Sequence, residues 1–586
     1  MNPYHSLVTN TFQPTVLVLS TLDAQALASA SSLALADLFA PFGACLPSLT
    51  GPVTTGNLNG QTYDMHNFRI AFRPLEWMQT LPTEALADLL AARVDSNHKP
   101  DLPDDVPPPP ELSTPDSVAS YLNYYASARQ RPPPSPYMTA GTSGSATAGS
   151  APLSSAAGSS GAGASSGAGA TGVSPTPWYD AYHQTLADAL RGSEHESFDH
   201  PVALLLVSTT RNPTPIEALA GLYSSSVPPT MFENGAMDPN LTAFRLILHE
   251  EEWEAPCSGN PETTPATVHA RMASLYSQSN FALVRVSTGG DAGPALPPRF
   301  WASGRPSTFA FPADAPAPGA LLGPADIDAL AQFVTNFAVN FLVPLMRRKV
   351  HALHERVAVS RKGFKWSKWF KSSKSPEKDG PLPNAAAGPP FIFHYKSPGA
   401  QLRVLADLAF LLQDYPLAAS VYSLALDEYR KESAWRYYAG AQEALGLATL
   451  FYDASHKDVN SSIGSAVVIY HKTGYYANAK RALYLHYKLW RERRAFIPAA
   501  HCVMQMTASQ NNPLFVALSL EQVAHCFLAV FPTTKLRKFV MYAMMAANRF
   551  ADAGQASHAL RLYTTLLRIE SAAAAGWLRS HDTLRY

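Results

Sequence analysis

Three stretches of this chain carry residue types that could do chemistry. Gly163-Ala-Ser165-Ser-Gly167 has the spacing of a nucleophile elbow, whose serine would attack a carbonyl carbon. Gly167-Ala-Gly169-Ala-Thr-Gly172 has the spacing of a dinucleotide-binding turn. Both chemistries need a strand before the motif and a helix after it, to strain the turn or to aim backbone N–H groups at phosphate. Both spellings lie inside a Ser/Gly/Ala tract, where composition alone produces them. No GxxxxGKS or GxxxxGKT loop occurs in the chain, so no lysine and amide nest is gathered around a nucleotide. The third stretch, Ser193-Glu194-His195-Glu196-Ser197-Phe198-Asp199-His200, sets two imidazoles among several carboxylates just before an apolar run. A metal site would need a second cluster at ligand spacing, which the sequence lacks, so hydrogen bonding at the start of a strand is expected instead. His351, His354 and Glu355 on one helical face receive the same reading, and His249 with Glu250 to Glu252 reads as a solvated strand end. No catalytic, cofactor-binding or metal-binding residue is assigned, and no cofactor is expected.

A different kind of chemistry is written at 361–374. Arg361, Lys362, Lys365, Lys368, Lys371 and Lys374 occur there without an acid, interleaved with Phe364, Trp366, Trp369 and Phe370. On a helix Trp366, Trp369 and Phe370 share a face that the lysines flank. Aromatic rings settle at headgroup depth, and each basic residue near an anionic surface contributes about 1 kcal/mol. Membrane contact through these residues is the expectation, against the alternative that the tryptophans pack on a neighbouring helical region.

The elements around these stretches give a mixed, multidomain α+β chain. Residues 1–100 hold strand-like runs at Thr15 to Ser20 and Asn67 to Phe72 around one helix, Asp23 to Phe39, closed by Pro41-Phe42-Gly43. Residues 101–177 are Pro, Ser, Gly and Ala and read as a disordered insertion. Residues 178–359 resume order. Pro201 to Ser208 is apolar throughout, as in a strand buried on both faces. Ala243 to His249 and Phe281 to Ser287 are further strands, with helices at Ile216 to Tyr223 and Ala266 to Tyr276, and a long one from Pro324 to Val359. Together these predict an N-terminal α/β layer domain split by the insertion. Residues 360–394 form the basic-aromatic segment and a linker.

Residues 395–586 are helical. Leu402, Leu405, Ala406, Ala409 and Phe410 recur three and four apart, as do Leu417, Val421, Leu424 and Ala425, and Asp414-Tyr415-Pro416 breaks the run. One such hairpin cannot bury both faces. Stacked hairpins can, so an α-solenoid of TPR-like pairs is expected, with Asp414, Tyr415, Trp435 and Tyr438 on its protein-binding surface.

The chain has 586 residues, and its 45 Lys and Arg balance its 45 Asp and Glu. No global field would steer it to nucleic acid. The four cysteines (Cys45, Cys257, Cys502, Cys526) show no CxxC spacing, and Cys502 and Cys526 sit in apolar helical context as reduced core residues. No basic region precedes the short VLVLS run, so no secretory signal is expected and the cytosol fits. Phe333 to Met346 is too short and too polar to span a bilayer.

The strings Leu405-ADLAFLLQDY, Ser433-AWRYYAGAQEALG, Glu521-QVAHCF, Arg537-KFVMYAMMAANRFADAGQASHALRLY and Gly576-Trp577 resemble the helical region of the TRAPP III-specific subunit family. That family comprises the 85-kilodalton TRAPP subunit of fungi and TRAPP subunit 8 of animals. Phe12-QPTVLVLS, His195-ESFDHPVALLLVS, Met237-DPNLTAFRLILHE, Pro344-LMRRKV and Ser360-RKG agree with it. The resemblance implies a non-catalytic subunit of a tethering complex that acts as a nucleotide exchange factor for an early-secretory Rab GTPase. It further implies other TRAPP subunits as partners, the Rab through the complex, and a peripheral place on Golgi, ER-Golgi and autophagosome-precursor membranes.

Overall fold

The computed structural model describes residues 9, 11–43, 53–58, 60–65, 68–75, 195–225, 235–250, 264–287, 301, 319, 321–362, 392–452, 456–507 and 513–573. The insertion expected at 101–177 lies outside the described residues, as do 363–374 and the linker after them.

Strand β1 (Thr15–Ser20) leads into α1 (Leu22–Ala30) and α2 (Leu35–Gly43). An antiparallel hairpin, β2 (Val53–Gly56) with β3 (Thr62–Met65), follows, then β4 (Ala71–Pro74). Next come β5 (Pro201–Thr209), α3 (Pro215–Ser224), β6 (Thr242–Glu250), α4 (Pro265–Leu275) and β7 (Phe281–Val286). The five sheet strands run in the order β4-β1-β5-β6-β7, and every pair is parallel. Val16 stands opposite Ala203, Leu204 opposite Ala243, and Leu246 opposite Ala282. Alternate residues explain why β5 is apolar throughout. Ala203, Leu205 and Val207 pack towards α1 and α2, while Leu204 and Leu206 pack on Ile216 and Leu219 of α3 and Val268 and Met272 of α4. All nine positions of β5 are buried.

Local chemistry departs from the sequence expectations at the N-terminal end. The single helix expected over Asp23 to Phe39 is two helices, because Ser32 takes a left-handed φ of 56° between them. The second of them, α2, ends at Gly43 with Pro41 inside its last turns, so Pro41-Phe42-Gly43 is the end of the helix as expected. Gly43 is needed for close approach, since a Cβ there would stand 2.4 Å from the Ile70 carbonyl oxygen. The strand expected at Asn67 to Phe72 begins at Ala71.

A long helix follows as α5 (Pro324–Phe337), a π turn at Ala338–Leu342, and α6 (Val343–Lys362). Phe333, Phe337 and Phe341 form a ladder of rings against Phe244 of the sheet, at 6.0, 5.1 and 5.1 Å. Among the described residues this helix alone is long and apolar enough to cross a bilayer, and 61% of its apolar window is buried in the fold. It serves the sheet as a core helix.

The remaining elements are helices: α7 (Pro398–Leu411), α8 (Tyr415–Lys431), α9 (Trp435–Tyr452), α10 (His456–Lys472), α11 (Tyr476–Glu492), α12 (Phe496–Thr507), α13 (Pro513–Leu528), α14 (Leu536–Asp552) and α15 (Ala556–Ala573). Each packs chiefly on its neighbours in sequence. Five junctions repeat one turn, with a left-handed residue at Gln413, Ser433, Gly474, Arg494 or Gly554. In each the next residue donates its N–H back into the last turn of the helix, as from Asp414 to Ala409 (2.9 Å) and from Gln555 to Phe550 (2.8 Å). This caps the free carbonyls and reverses the chain in three residues. One continuous core joins these helices to the α1, α2 and α5 face of the sheet.

Candidate functional site

Parallel sheets of this kind take ligands beyond the carboxyl ends of the strands, where successive crossovers depart in opposite directions. Here that point lies between β1 and β5. It is filled from within: Thr209 donates to Asp23 Oδ2 through its backbone N–H (3.1 Å) and its hydroxyl (2.6 Å), and Asn212 reaches Oδ1 (3.4 Å). Burial pushes the Asp23 pKa up, but the hydrogen bonds led by Thr209 outweigh it and hold the carboxyl below its ordinary value. A phosphate arriving here would meet a carboxylate already holding the amide. The nearby strand end is not the solvated one expected, for Glu250 is buried and paired with Arg211, and His249 Nδ1 lies 3.0 Å from Thr210 Oγ1.

The densest polar site lies elsewhere, where residues 195–200 lead into β5 against the helices. The Glu196 carboxylate accepts two hydrogen bonds from Arg481 of α11, Oε2 from Nη1 at 2.8 Å and Oε1 from Nη2 at 2.5 Å. Arg481 also donates to Glu443 of α9 from Nη2 (2.9 Å) and Nε (3.3 Å). Tyr470 of α10 donates its hydroxyl to Glu443 (3.2 Å) and lies 3.3 Å from His195 Nε2. One residue on, Ser197 donates both N–H (2.8 Å) and Oγ–H (2.7 Å) to Asp407 of α7. That carboxylate also accepts from Arg403 Nε (2.9 Å) and from the Tyr422 hydroxyl of α8 (2.6 Å). Phe198 completes the joint between Phe12 (4.4 Å) and Phe410 (5.5 Å).

Burial sets the electrostatics of this node. It lowers the His195 pKa to about 3, helped by the Arg436 charge and opposed by Glu196, and it lowers His200 to about 3 as well. Both imidazoles are neutral. Burial alone would raise Glu196, yet the bidentate Arg481 overrides it and holds this carboxyl well below its usual range. Burial raises Glu443, Arg481 offsets this only in part, and the charge of Glu196 nearby adds to the rise. Arg481 is driven up by the two carboxylates despite its burial. Gly440 is required by close approach, since a Cβ there would lie 2.7 Å from His195 Cδ2 and 3.0 Å from Arg403 Nη1.

The arrangement spends its ionisable groups on one another inside the fold. It pins one short segment to five successive helices and offers no exposed nucleophile or base. Among the described residues no group of three His, Cys, Asp or Glu is placed to hold a metal ion. The strand-entry turn expected at His195 to His200 is present, with His200 N–H donating to the Ser197 carbonyl (3.2 Å), but the bonds of Glu196 and Ser197 cross to the helices.

The residues named from sequence are scattered. Asp414 caps α8 by accepting from Leu417 N–H (3.3 Å), and Tyr415 is buried, stacked on Phe451 at 4.6 Å. Trp435 and Tyr438 are half-buried edge to face at 5.9 Å, with Arg430 donating to the Tyr438 hydroxyl (3.0 Å). Arg361 and Lys362 close α6, and Lys365, Trp366, Lys368, Trp369, Phe370, Lys371 and Lys374 lie outside the described residues. His351, His354 and Glu355 are exposed along α6. Cys502 and Cys526 are buried free thiols, each pushed up to about 12 by burial. Sequence reasoning missed Arg403, Asp407, Glu443, Tyr470 and Arg481. One signal was present: Arg403 and Asp407 stand four apart within an otherwise apolar helix, the spacing of an internal ion pair.

Comparison with known proteins bears on the whole assembly. The family described as "ER-Golgi trafficking TRAPP I complex 85 kDa subunit" matches residues 8–494. Human "Trafficking protein particle complex subunit 8" is 24% identical over 502 residues, covering 70% of this chain and 34% of that protein. Two subunits of Schizosaccharomyces pombe are similar as well. "Transport protein particle subunit trs85-2" is 25% identical over 278 residues, 45% of this chain and 42% of its own. "Transport protein particle subunit trs85-1" is 22% identical over 304 residues, 43% and 44%. The chain thus spans between a third and less than half of the length of these relatives.

Proposed function

This chain belongs to the TRAPPC-Trs85 family, that of the 85 kDa TRAPP subunit, and from that premise we propose that it is a non-catalytic scaffold subunit of a tethering complex. In this reading the complex is of the TRAPP III kind and activates an early-secretory Rab GTPase by nucleotide exchange. The chain contributes docking surface to it, and no reacting group. Its work is done on Golgi, ER-Golgi and autophagosome-precursor membranes, from the cytoplasmic side.

The observation that carries the reading is the family match over residues 8–494, which runs through both the sheet and the helices that the buried node joins. Two structural features support it. The sheet crevice that would serve an NTPase is occupied by Asp23. The helices from α7 onward pack in sequence and reuse one turn, as the repeats of a TPR-like α-solenoid do. Such a stack presents a long surface for other polypeptides, with Asp414, Trp435 and Tyr438 at its first turns, while Tyr415, buried against Phe451, lies beneath it. Residues 361–374 then hold the assembly at anionic membrane.

Affinity purification from native lysate followed by mass spectrometry tests the role. Small TRAPP subunits and a Rab are the expected companions; recovery of the chain as a lone monomer would overturn it. A membrane adaptor acting without TRAPP would instead float with vesicles while bringing no such subunits.

A further inference from the structure

Between the β2–β3 hairpin, α6 and the α7–α8 turn lies a cleft with a free volume of about 10 Å³, room for one water-sized group. Tyr63, Arg347, His351 and Asp414 line it together with Gly56 and Leu58. Most of its polar groups are committed. Tyr63 donates its hydroxyl to the Leu412 carbonyl (2.7 Å), and Asp414 is turned to the Leu417 N–H. Arg347 is less committed: among the described residues its Nε is buried without an acceptor, and its charge acts on the Tyr63 hydroxyl without a hydrogen bond to it. Gly56 keeps the space open for it, since a Cβ there would stand 3.0 Å from Nη2. A partly buried guanidinium left without an anion is costly, and its planar fork suits a carboxylate.

The surface around the mouth carries the same sign. Arg348, His351, His354 and Arg356 are exposed on α6, with Glu355 the one acid between Val343 and Ala358. We propose that this cleft is a docking point for an acidic segment of a partner protein, one carboxylate seating on Arg347 while the cationic strip of α6 steers the approach. The proposal deepens the docking role argued above and rests on it. The free space holds one water-sized group, so a carboxylate sends one oxygen into it while the rest of the side chain stays at the mouth, and a nucleotide or sugar is excluded. It is also a recess, which a side chain can enter and a planar headgroup layer cannot follow.

The test uses the purified full chain and a fluorescein-labelled decapeptide alternating Glu and Ser, read by anisotropy. A Gln-for-Glu peptide and phosphatidylserine vesicles are the comparison probes. The Glu peptide is expected to bind, with its Kd raised about tenfold by Arg347→Gln, the loss of one charge-assisted hydrogen-bonding group. Arg348→Gln, on the same helix outside the cleft, is expected to change it far less. Equal losses in both variants, equal binding of the Gln peptide, or binding of vesicles alone would overturn the proposal. Should Arg347→Gln melt well below wild type, His351→Glu decides, because it sets an acid at the exposed mouth and must weaken the Glu peptide. A wild-type chain that co-purifies with trafficking subunits but binds no Glu peptide sinks the cleft and spares the docking role. A chain without co-purifying subunits sinks the role itself.

Discussion

Among the described residues Arg481 is the one cation paired with both Glu196 and Glu443, and that asymmetry makes its replacement the most informative perturbation of the fold. Arg481→Met keeps an unbranched apolar stem, shorter than arginine, and leaves two carboxylates buried without a counter-charge. Breaking a buried pair from one side costs about 3–5 kcal/mol. Glu443→Gln should cost far less, about 1 kcal/mol, because Arg481 keeps its bidentate bond to Glu196 and a like-charge repulsion disappears. Glu196→Gln should fall between, since Arg481 retains Glu443 but loses its better partner. The amide of Ser197, bonded to Asp407 at 2.8 Å, reports opening of the pinned segment. With tenfold in rate for each 1.4 kcal/mol or so, Arg481→Met should speed its hydrogen exchange by roughly two to three orders of magnitude. The double variant Arg481→Met/Glu196→Gln should recover part of that. Equal exchange in Arg481→Met and Glu443→Gln would refute the view that one arginine closes the joint.

Acid should loosen the same joint. His195 and His200 sit at about 3 in the fold against 6.5 in the free side chain, so the unfolded chain binds more protons and stability falls as pH drops from about 6.5 towards 3. Glu196, held low, adds loss below its ordinary value, while the raised Glu443 works against it. A melting series over that range should descend steadily, and a flat one would contradict the neutral buried imidazoles. Gly440→Ala should lower the melting temperature through a clash worth about 1–3 kcal/mol. Gly464→Ala, in α10 where nothing lies within 4 Å, should raise it by up to about 1 kcal/mol of helix propensity. At the membrane, flotation with anionic liposomes should fall in Trp366→Ala/Trp369→Ala, and equal recovery would remove membrane contact by that segment.

What could be read from sequence follows from where each signal resides. Strand β5 was legible because burial on both faces writes an apolar run. The α7–α8 turn was legible because Pro416 and the three-and-four spacing act locally. Hairpin β2–β3 was not: Val53 to Gly56 and Thr62 to Met65 are too short and too polar to show a period. The node was not legible either, since Glu196 and Arg481 stand 285 residues apart and each looks like an ordinary surface charge in its own segment. Their ion pair exists only once the sheet and helices meet. Strand-entry hydrogen bonding accounts for His200 N–H to Ser197 alone, and the bonds to the helices stay hidden in the sequence for that reason.

The central claim is that the helices after Pro398 exist to hold other polypeptides. Cross-linking mass spectrometry of the assembly purified from native lysate tests it most directly. Links from Lys431, Lys472, Lys488 and Lys538 to other TRAPP subunits are the predicted outcome. An assembly whose links to other subunits all arise before Pro398, with the helices linked only to themselves, would contradict it.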